Sequence, residues 1–202
     1  GQSFSGDIAI DDISFTNSLC GLNPPSATPP PQTTVIMTTP AASTGLFNCT
    51  FDQNLCGWMQ DTQDTKAFDW IRQQGSTTTL MTGPTSDHTS SRGYYMYIET
   101  SAPRQFGDKA RLVSPDVQPG PGGQKCLTFF YHMYGQNIYK LNVYIKRGLA
   151  LPPTPFWSKQ GTQGNAWRQT MLTVTSPTVF NVVFEGVRGT GYQGDIAIDD
   201  VS

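Results

Sequence analysis

The sequence has little charge, and its acidic residues are nearly all aspartate. Charged residues make up 14% of the 202 residues, the formal net charge is −2, and the only glutamates are Glu99 and Glu185. With so little positive charge, we expect no basic face that would attract nucleic acid or anionic lipid. Asp favours turns over helix interiors, and 20 Gly and 15 Pro accompany it. The composition therefore predicts strands joined by turns.

The chain also lacks a signal peptide, an initiating Met and any apolar run long enough to cross a bilayer. Gly1 already stands in a strand-like pattern. We therefore expect a fragment of a longer protein, with no direct membrane contact from the fragment itself. This absence says nothing about a membrane anchor elsewhere in the parent protein.

The four cysteines, Cys20, Cys49, Cys56 and Cys126, form no C-x-x-C pair, and with only two histidines the chain fits a zinc finger poorly. Cys49 and Cys56 are seven residues apart, which predicts a disulfide between them. The alternative is two free buried thiols, as in a cytosolic protein. The N-C-T sequon at Asn48 favours a secreted protein, in which disulfides persist, and predicts an N-linked glycan on Asn48.

One motif occurs twice. The segment GDIAIDDIS at Gly6–Ser14 returns as GDIAIDDVS at Gly194–Ser202, with eight of nine residues identical at an offset of 188. Residues 1–20 are therefore interpreted as the end of one repeat and residues 46–202 as most of the next. Residues 21–45 are rich in Pro and Thr and carry no charge, which predicts an extended linker.

The second repeat reads as all-β. In the segment Lys140–Arg147, Leu141, Val143 and Ile145 alternate with polar residues, as in a strand with one buried face. No stretch has a convincing helical period. Strands are predicted at 47–52, 68–72, 94–98, 109–113, 127–134, 140–147, 166–174, 179–185 and 194–201. Many short strands separated by Gly- and Pro-rich turns indicate a sandwich or a barrel.

Seven motifs, in order, resemble those of the MAM domain family of meprin, a neuropilin-type antigen and receptor protein tyrosine phosphatase mu. They are CTFDQNLCGW (Cys49–Trp58), FDW (Phe68–Trp70), DHT (Asp87–Thr89), GYYMYIET (Gly93–Thr100), RLVSP (Arg111–Pro115), CLTFFYHMYG (Cys126–Gly135) and GDIAIDDVS (Gly194–Ser202). The resemblance covers residues 46–202. It implies an all-β jelly-roll sandwich of two antiparallel sheets in an extracellular protein.

The resemblance also implies four cysteines per domain, paired first with second and third with fourth. The first three are Cys49, Cys56 and Cys126, so Cys126 is expected to pair with a cysteine beyond Ser202. Cys20 would pair with a cysteine before Gly1. The alternative is a Cys20–Cys126 bridge, which would fit an array in which one copy completes its neighbour's sandwich.

Nothing in the sequence supports an enzyme. His88 stands beside Asp87 and Ser86, but three sequence neighbours do not align a nucleophile, a base and an orienting acid. His132 lies in the aromatic segment Leu127–Tyr134 and is predicted to be a buried structural histidine.

A structural Ca²⁺ is the one cofactor we expect, because aspartates at strand ends supply the oxygens that calcium prefers. By motif position the candidate ligands are Asp52, Asp61, Asp87 and Asp200. Asp200 shares a face with Ile196 and Ile198, which is expected to turn inwards. The alternative is that these acids cap turns and pair with Arg72, Arg92 or Arg111.

Two functions follow from these patterns. The first is an extracellular protein-interaction or adhesion module of a receptor or secreted protein, with other extracellular proteins, a second copy among them, as candidate partners. The second is a structural repeat of a matrix or filament protein, which the repeated motif and the uncharged linker favour. Trp58 and Trp70 are predicted to be core residues. Trp157, in the Pro-rich loop Leu151–Trp157, is the candidate for an exposed binding contact.

Overall fold

The computed structural model describes residues 47–62 and 68–202. The predicted upstream segment 1–20 and linker 21–45 lie outside the described residues. Within the described residues there are ten strands and one short 3₁₀ turn at Pro121–Gly123. The strands are β1 (Met59–Gln60), β2 (Ile71–Gln74), β3 (Tyr94–Ile98), β4 (Lys109–Val113), β5 (Gln124–Met133), β6 (Lys140–Lys146), β7 (Trp157–Gln160), β8 (Gly164–Thr175), β9 (Asn181–Val187) and β10 (Ile196–Asp199).

The strands form two five-stranded sheets. Sheet 1 has the order β1-β4-β9-β6-β7 and sheet 2 the order β2-β3-β10-β5-β8, and every pairing is antiparallel. Leu141, Val143 and Ile145 of β6 point into the core, as their alternation predicts. The predicted jelly-roll sandwich of two antiparallel sheets is confirmed.

Aromatic side chains fill the space between the sheets. Trp58 and Trp70 are buried, as predicted, and the indole N–H of Trp70 donates to the carbonyl of Ala110 at 3.0 Å. Phe184 contacts both Trp58 and Phe129, with ring centroids 5.5 and 4.9 Å apart. Burying each such ring contributes on the order of 2–3 kcal/mol to the stability of the sandwich.

The chain enters and leaves the sandwich at the same end. The backbone amide of Cys49 donates to the carbonyl of Val201 at 2.8 Å, and the amide of Val201 returns the bond at 2.9 Å. This is called the terminal end. At the opposite end Lys109 and Lys140 both pair with Val187. The loops beyond those pairs, residues 99–108, 134–139, 161–163 and 188–195, are called the distal loops.

A long loop, residues 75–93, joins β2 to β3 and is called the covering loop. Both of its ends lie towards the terminal end, because Gln74 pairs with Tyr94. Its tip nevertheless reaches the distal loops: Gly83 N donates to Tyr134 O at 3.0 Å, and the Gln193 side chain donates to Leu80 O at 3.3 Å. The loop therefore crosses the outer face of sheet 2.

Candidate functional site

The covering loop converts the outer face of sheet 2 into a second small core. Tyr95, Tyr97 and Ala197 are buried there, and Trp167 packs against them. The indole N–H of Trp167 donates to the carbonyl of Ser86 in the loop at 3.0 Å. The periodicity of the strands predicts that this face is exposed to solvent, whereas in the structure the covering loop buries it.

Two acids lie buried beneath this loop, and sequence reasoning missed both. Asp195 and Asp199 lie on the same face of the chain as Ala197. The alternation in GDIAIDD therefore predicts that both acids are buried, provided that the outer face of the sheet is known to be covered. Asp195 Oδ1 accepts hydrogen bonds from the amide and hydroxyl of Thr100, both at 3.1 Å. Its Oδ2 has no hydrogen-bond partner among the described residues. Burial raises the pKa of Asp195 to about 7.

Asp199 ties the covering loop to β10. Its Oδ2 accepts the amide of His88 at 2.9 Å and its Oδ1 accepts the amide of Asp200 at 2.8 Å. Burial, more than any neighbouring charge, raises the pKa of Asp199 to about 8.

Asp200 does not point inwards, which corrects the sequence expectation. Strand β10 ends at Asp199, and Asp200 takes a left-handed conformation with φ of 46° that breaks the alternation. Its partly buried carboxylate accepts from the Thr89 hydroxyl and lies 2.8 Å from His88 Nδ1. The His88 ring stacks on Phe130 with centroids 3.4 Å apart.

Asp52 and Asp87 approach each other across Gly93. Asp87 accepts the amide of Gly93 at 2.9 Å and the amide and hydroxyl of Ser90 at 2.7 and 2.9 Å. Burial alone would raise the pKa of Asp87, but these hydrogen bonds outweigh it and lower the pKa. Asp52 Oδ1 accepts the amide of Tyr94 at 2.9 Å. A Cβ on Gly93 would stand 2.1 Å from Asp52 Oδ1 and 3.0 Å from Asp87 Oδ2.

Arg72 supplies a positive charge beside this acidic group. Its Nε donates to the carbonyl of Phe51 at 2.6 Å and its Nη2 to the carbonyl of Asp52 at 2.5 Å. The guanidinium carbon lies 3.5 Å from the centroid of the Tyr94 ring. Phe51 has φ of 56°, a conformation that a non-glycine residue rarely adopts. The guanidinium thus holds two backbone oxygens of the kind a calcium ion would bind.

The fourth predicted ligand, Asp61, belongs to sheet 1. Its Oδ2 lies 3.6 Å from Arg111 Nη1, so it does not join the group around Gly93. Across residues 47–62 and 68–202, no three or more His, Cys, Asp or Glu side chains are placed to hold a metal ion. The calcium ion expected from the sequence therefore stays a prediction. Among the described residues Asp52 and Asp87 accept backbone amides and Asp61 lies beside Arg111, as the alternative of turn-capping and arginine-paired acids expects.

A row of polar side chains crosses the outer face of sheet 1. Glu185 is buried and accepts from Arg111 Nε at 2.7 Å, from Asn142 Nδ2 at 2.9 Å and from the Tyr144 hydroxyl at 3.1 Å. The Ser158 hydroxyl continues the row to Asn142 Oδ1 at 2.6 Å. Burial and the Glu185 charge raise the pKa of Tyr144 to about 12. The row fixes four neighbouring strands in register.

The histidines form no catalytic set with their sequence neighbours. The Ser86 hydroxyl donates to the backbone carbonyl of Asp87, and the Asp87 carboxylate is held by Ser90 and Gly93 rather than by His88. His132 is buried with Nε2 3.1 Å from Asn165 Oδ1, and burial lowers its pKa to about 4. His132 is therefore neutral at physiological pH and structural, as predicted.

The predicted disulfide between Cys49 and Cys56 is present, with Cα atoms 5.7 Å apart. Cys126 is not a free thiol, and its partner is not among the described residues. The predicted pairing of Cys126 beyond Ser202, and of Cys20 before Gly1, stays a prediction. Asn48 is exposed, so nothing in the described residues blocks the predicted glycan.

Trp157 is not an exposed loop residue, contrary to expectation. It begins β7, where its side chain packs edge-on against Phe129 and Tyr131 with centroids 5.5 and 5.4 Å apart. The preceding residue, Phe156, is the exposed ring. The sequence did not indicate this strand, because β7 is only four residues long and directly follows a segment with three prolines.

Two antiparallel sheets, an aromatic core and a disulfide at the first strand segment define a small disulfide-bonded jelly-roll domain. The sequence of residues 49–202 matches the family described as MAM domain, meprin/A5/mu. The chain belongs to the MAM domain family. No helix among the described residues is both long and apolar enough to span a bilayer.

Two relatives illustrate the match. The chain is 47% identical over 173 residues to MAM domain-containing glycosylphosphatidylinositol anchor protein 2 of Mus musculus, covering 79% of this chain and 18% of that protein. It is 36% identical over 196 residues to MAM domain-containing protein 2 of Homo sapiens, covering 97% of this chain and 26% of that protein. The chain thus spans about a quarter or less of the length of these relatives.

Among solved structures, the K3 cleaved adhesin domain of Lys-gingipain from Porphyromonas gingivalis superposes with a TM-score of 0.54 at 18% identity, covering 77% of this chain and 94% of that domain. At this identity the likeness concerns the fold alone.

Proposed function

We propose that this chain carries an extracellular protein-interaction module, part of a secreted protein or of the ectodomain of a membrane protein, and that it is not an enzyme. Membership of the MAM family and the relatives named as glycosylphosphatidylinositol anchor proteins support the setting. The partners are other extracellular proteins, and a second copy is among the candidates.

The observation that carries this proposal is an apolar rim on and beside the distal loops. Leu80, Met81, Phe106 and Tyr192 are 85%, 64%, 60% and 59% exposed. Exposed apolar side chains gathered at one end of a module supply the anchors that protein partners bury.

The rim is held in place before any partner arrives. Leu80 is linked to Gln193 through its carbonyl, and the amide of Asn137 donates to the carbonyl of Gln193 at 2.9 Å. The amide of Gly107 donates to the carbonyl of Arg188 at 3.0 Å. Loops that are fixed by such bonds lose little conformational entropy on binding.

The position of the rim suits presentation to a partner. Because Cys49 and Val201 pair at the terminal end, both connections to the rest of a longer protein leave from there. The distal loops lie at the opposite end of the sandwich from Cys49 and Val201, so the apolar rim is open to a partner.

The proposal is tested with beads that carry the full 202-residue chain and are offered to intact cells and to other coated beads. We expect beads to bind cells or each other, and protease treatment of the cell surface to abolish the cell binding. Coated beads that bind neither, or that bind protease-treated cells equally well, would contradict a protein-interaction role.

The second candidate, a structural repeat of a matrix or filament protein, rests on the repeated GDIAIDD segment. The second copy of that segment includes β10, which lies in the middle of sheet 2 between β3 and β5. The first copy, at residues 6–14, lies outside the described residues, and this candidate takes it as the end of a preceding repeat. The length of the parent array, read from its full sequence, separates a filament from a receptor.

A further inference from the structure

The outer face of sheet 1 gathers lysines that the composition did not lead us to expect. Lys109 of β4 and Lys140 of β6 both pair with Val187 of β9, so their side chains flank it on one face. Lys146 stands on the same side of β6, six residues further along. The expectation of no basic face came from a whole-chain count, which cannot show that strand alternation places these residues together.

No carboxylate among the described residues forms an ion pair with Lys109, Lys140 or Lys146. The acids on this face have other partners: Glu185 and Asp61 lie 2.7 and 3.6 Å from the Arg111 guanidinium, and Asp116 accepts from Asn181. Asp108, next to Lys109 in the chain, accepts the backbone amide of Gln105. Among the described residues of this face, the three lysines are therefore the charges left for a ligand, although the whole chain is negative.

The spacing of the lysines suits an extended ligand. Two strand spacings place Lys109 and Lys140 about 10 Å apart, and six residues along a strand place Lys146 about 20 Å from Lys140. A small anion cannot contact three ammonium groups at these separations. A polymer with regularly spaced negative charges can lie across them.

Between the lysines the face offers little apolar surface. Val183, Val187 and Tyr144 are only 1%, 5% and 7% exposed, because long neighbouring side chains cover them. A protein partner depends on apolar anchors of the kind found at the distal loops, whereas a polyanion depends on charge. At the distal edge, the Tyr139 ring lies 5.0 Å from Lys140 Nζ and 5.2 Å from the Phe106 ring, and such rings can stack on sugars.

We propose that the outer face of sheet 1, through Lys109, Lys140 and Lys146, binds a sulfated polysaccharide of the extracellular surface. The binding is electrostatic and weakens with salt, because exposed ammonium groups are screened. This surface is separate from the distal loops, so a glycan and a protein partner can be bound at once.

The experiment is affinity for immobilised heparin, used as the sulfated probe, with the full 202-residue chain. We expect retention at about 0.15 M salt and release at higher salt. The double substitution Lys109→Gln and Lys140→Gln should weaken binding about tenfold or more, because two contacts to the polyanion are lost. The matched control is Lys125→Gln with Lys159→Gln, two lysines on the inward-facing side of their strands, and it should bind like the wild type.

The thermal midpoint of each variant shows whether the fold is kept. Failure of the wild type to bind heparin at this salt, or equal losses in the two double variants, would overturn the proposal. Hyaluronan, poly-glutamate, single-stranded DNA and phosphatidylserine vesicles serve as other polyanions. Binding to any of these as tight as to heparin would show a general charge effect and contradict a sulfated-glycan site. Because the distal loops are untouched, bead adhesion reports separately on the protein-interaction role.

Discussion

At the scale of single residues, Arg72 fixes the backbone near the domain's start. It donates to two backbone carbonyls and stacks on Tyr94, while the Asp52 and Asp87 carboxylates accept hydrogen bonds from backbone amides. These contacts hold the start of the domain against β3 and the covering loop.

Substitution Arg72→Ala should lower the free energy of unfolding by about 2–4 kcal/mol, because it removes two charge-assisted hydrogen bonds and a cation–π contact. Urea denaturation measures the change. Arg92→Ala, at an exposed arginine close to the same loop, is the matched control and should cost far less. Equal costs would show that the Arg72 contacts contribute nothing particular.

The predicted calcium ion can be tested through stability. An ion that binds only the folded state raises the thermal midpoint, so a chelator should lower the midpoint of the wild-type chain and added Ca²⁺ should restore it. A midpoint that responds to neither would leave these acids with protein donors as their only partners.

Asp195 makes stability depend on pH. Burial raises its pKa to about 7, above the value of about 3.8 it has when exposed. A raised pKa means that the folded state holds the proton more tightly, so this contribution is complete below the unfolded pKa and is lost as pH rises through 7. The groups that face it are Glu99, Tyr95 and Tyr97, and burial raises the pKa of both tyrosines well away from this range.

Asp195→Asn should therefore gain stability relative to the wild type as pH rises from about 4 to about 7, and the difference should level off above that. Asp199 and His132 titrate in both proteins, so their own contributions cancel from the difference. Chemical denaturation at several pH values gives the difference. Asp69→Asn, at an exposed carboxylate, is the control and should show no trend. A wild-type minus D195N difference that stays flat with pH would refute the assignment.

At the scale of elements, the covering loop is the part of the fold that the periodicity of the sequence could not predict. Strand β4 lies where the sequence predicts it, and its buried and half-buried residues alternate because one face meets the core. The loop, in contrast, is a run of Ser, Thr, Gly and Pro that indicates only turns. Its burial depends on contacts with Trp167, Tyr134 and Asp199, which are far away in the sequence.

The same limit explains the errors at the candidate sites. The Pro-rich sequence predicts a loop at Trp157, whereas the structure has a four-residue strand that begins there. The alternation of the strand predicts that Asp200 points inwards, but β10 ends one residue earlier and Asp200 has a left-handed backbone conformation. The disulfide between Cys49 and Cys56 could be predicted, because its determinants are local.

Gly93 tests how tightly the covering loop is anchored. Gly93→Ala should destabilise the domain by several kcal/mol, since the added Cβ would fall 2.1 Å from Asp52 Oδ1 and displace it from Tyr94. Thermal and urea denaturation measure the loss. Gly148→Ala is the control: its φ is 78°, but nothing lies within 4 Å of the new atom. It should cost about 1 kcal/mol from backbone strain alone. If the two variants lost equal stability, the close packing at Gly93 would be disproved.

At the scale of the whole molecule, the adjacent chain ends separate the module into a connected end and a free end. Asn48 lies at the connected end beside Cys49. A glycan there leaves the distal loops and their apolar rim open.

We expect Asn48 to carry an N-linked glycan when the chain is secreted by eukaryotic cells, because it is exposed and stands in the sequence N-C-T. Treatment with an N-glycan-cleaving enzyme should lower the mass, and Asn48→Gln should remove the shift. Adhesion of coated beads should not change in N48Q. A mass that does not respond to the enzyme would count against glycosylation at this site.

The central claim is that the distal rim is the surface through which the module binds protein partners. The most direct measurement compares bead adhesion for two double variants of the full chain. Leu80→Ser with Tyr192→Ser alters the distal rim, and Leu149→Ser with Phe156→Ser removes two exposed apolar side chains at the terminal end. The account predicts that the distal variant loses protease-sensitive adhesion about tenfold or more, as expected when central apolar anchors are removed, while the terminal variant keeps it. Equal adhesion of the two variants, with thermal midpoints unchanged, would contradict it.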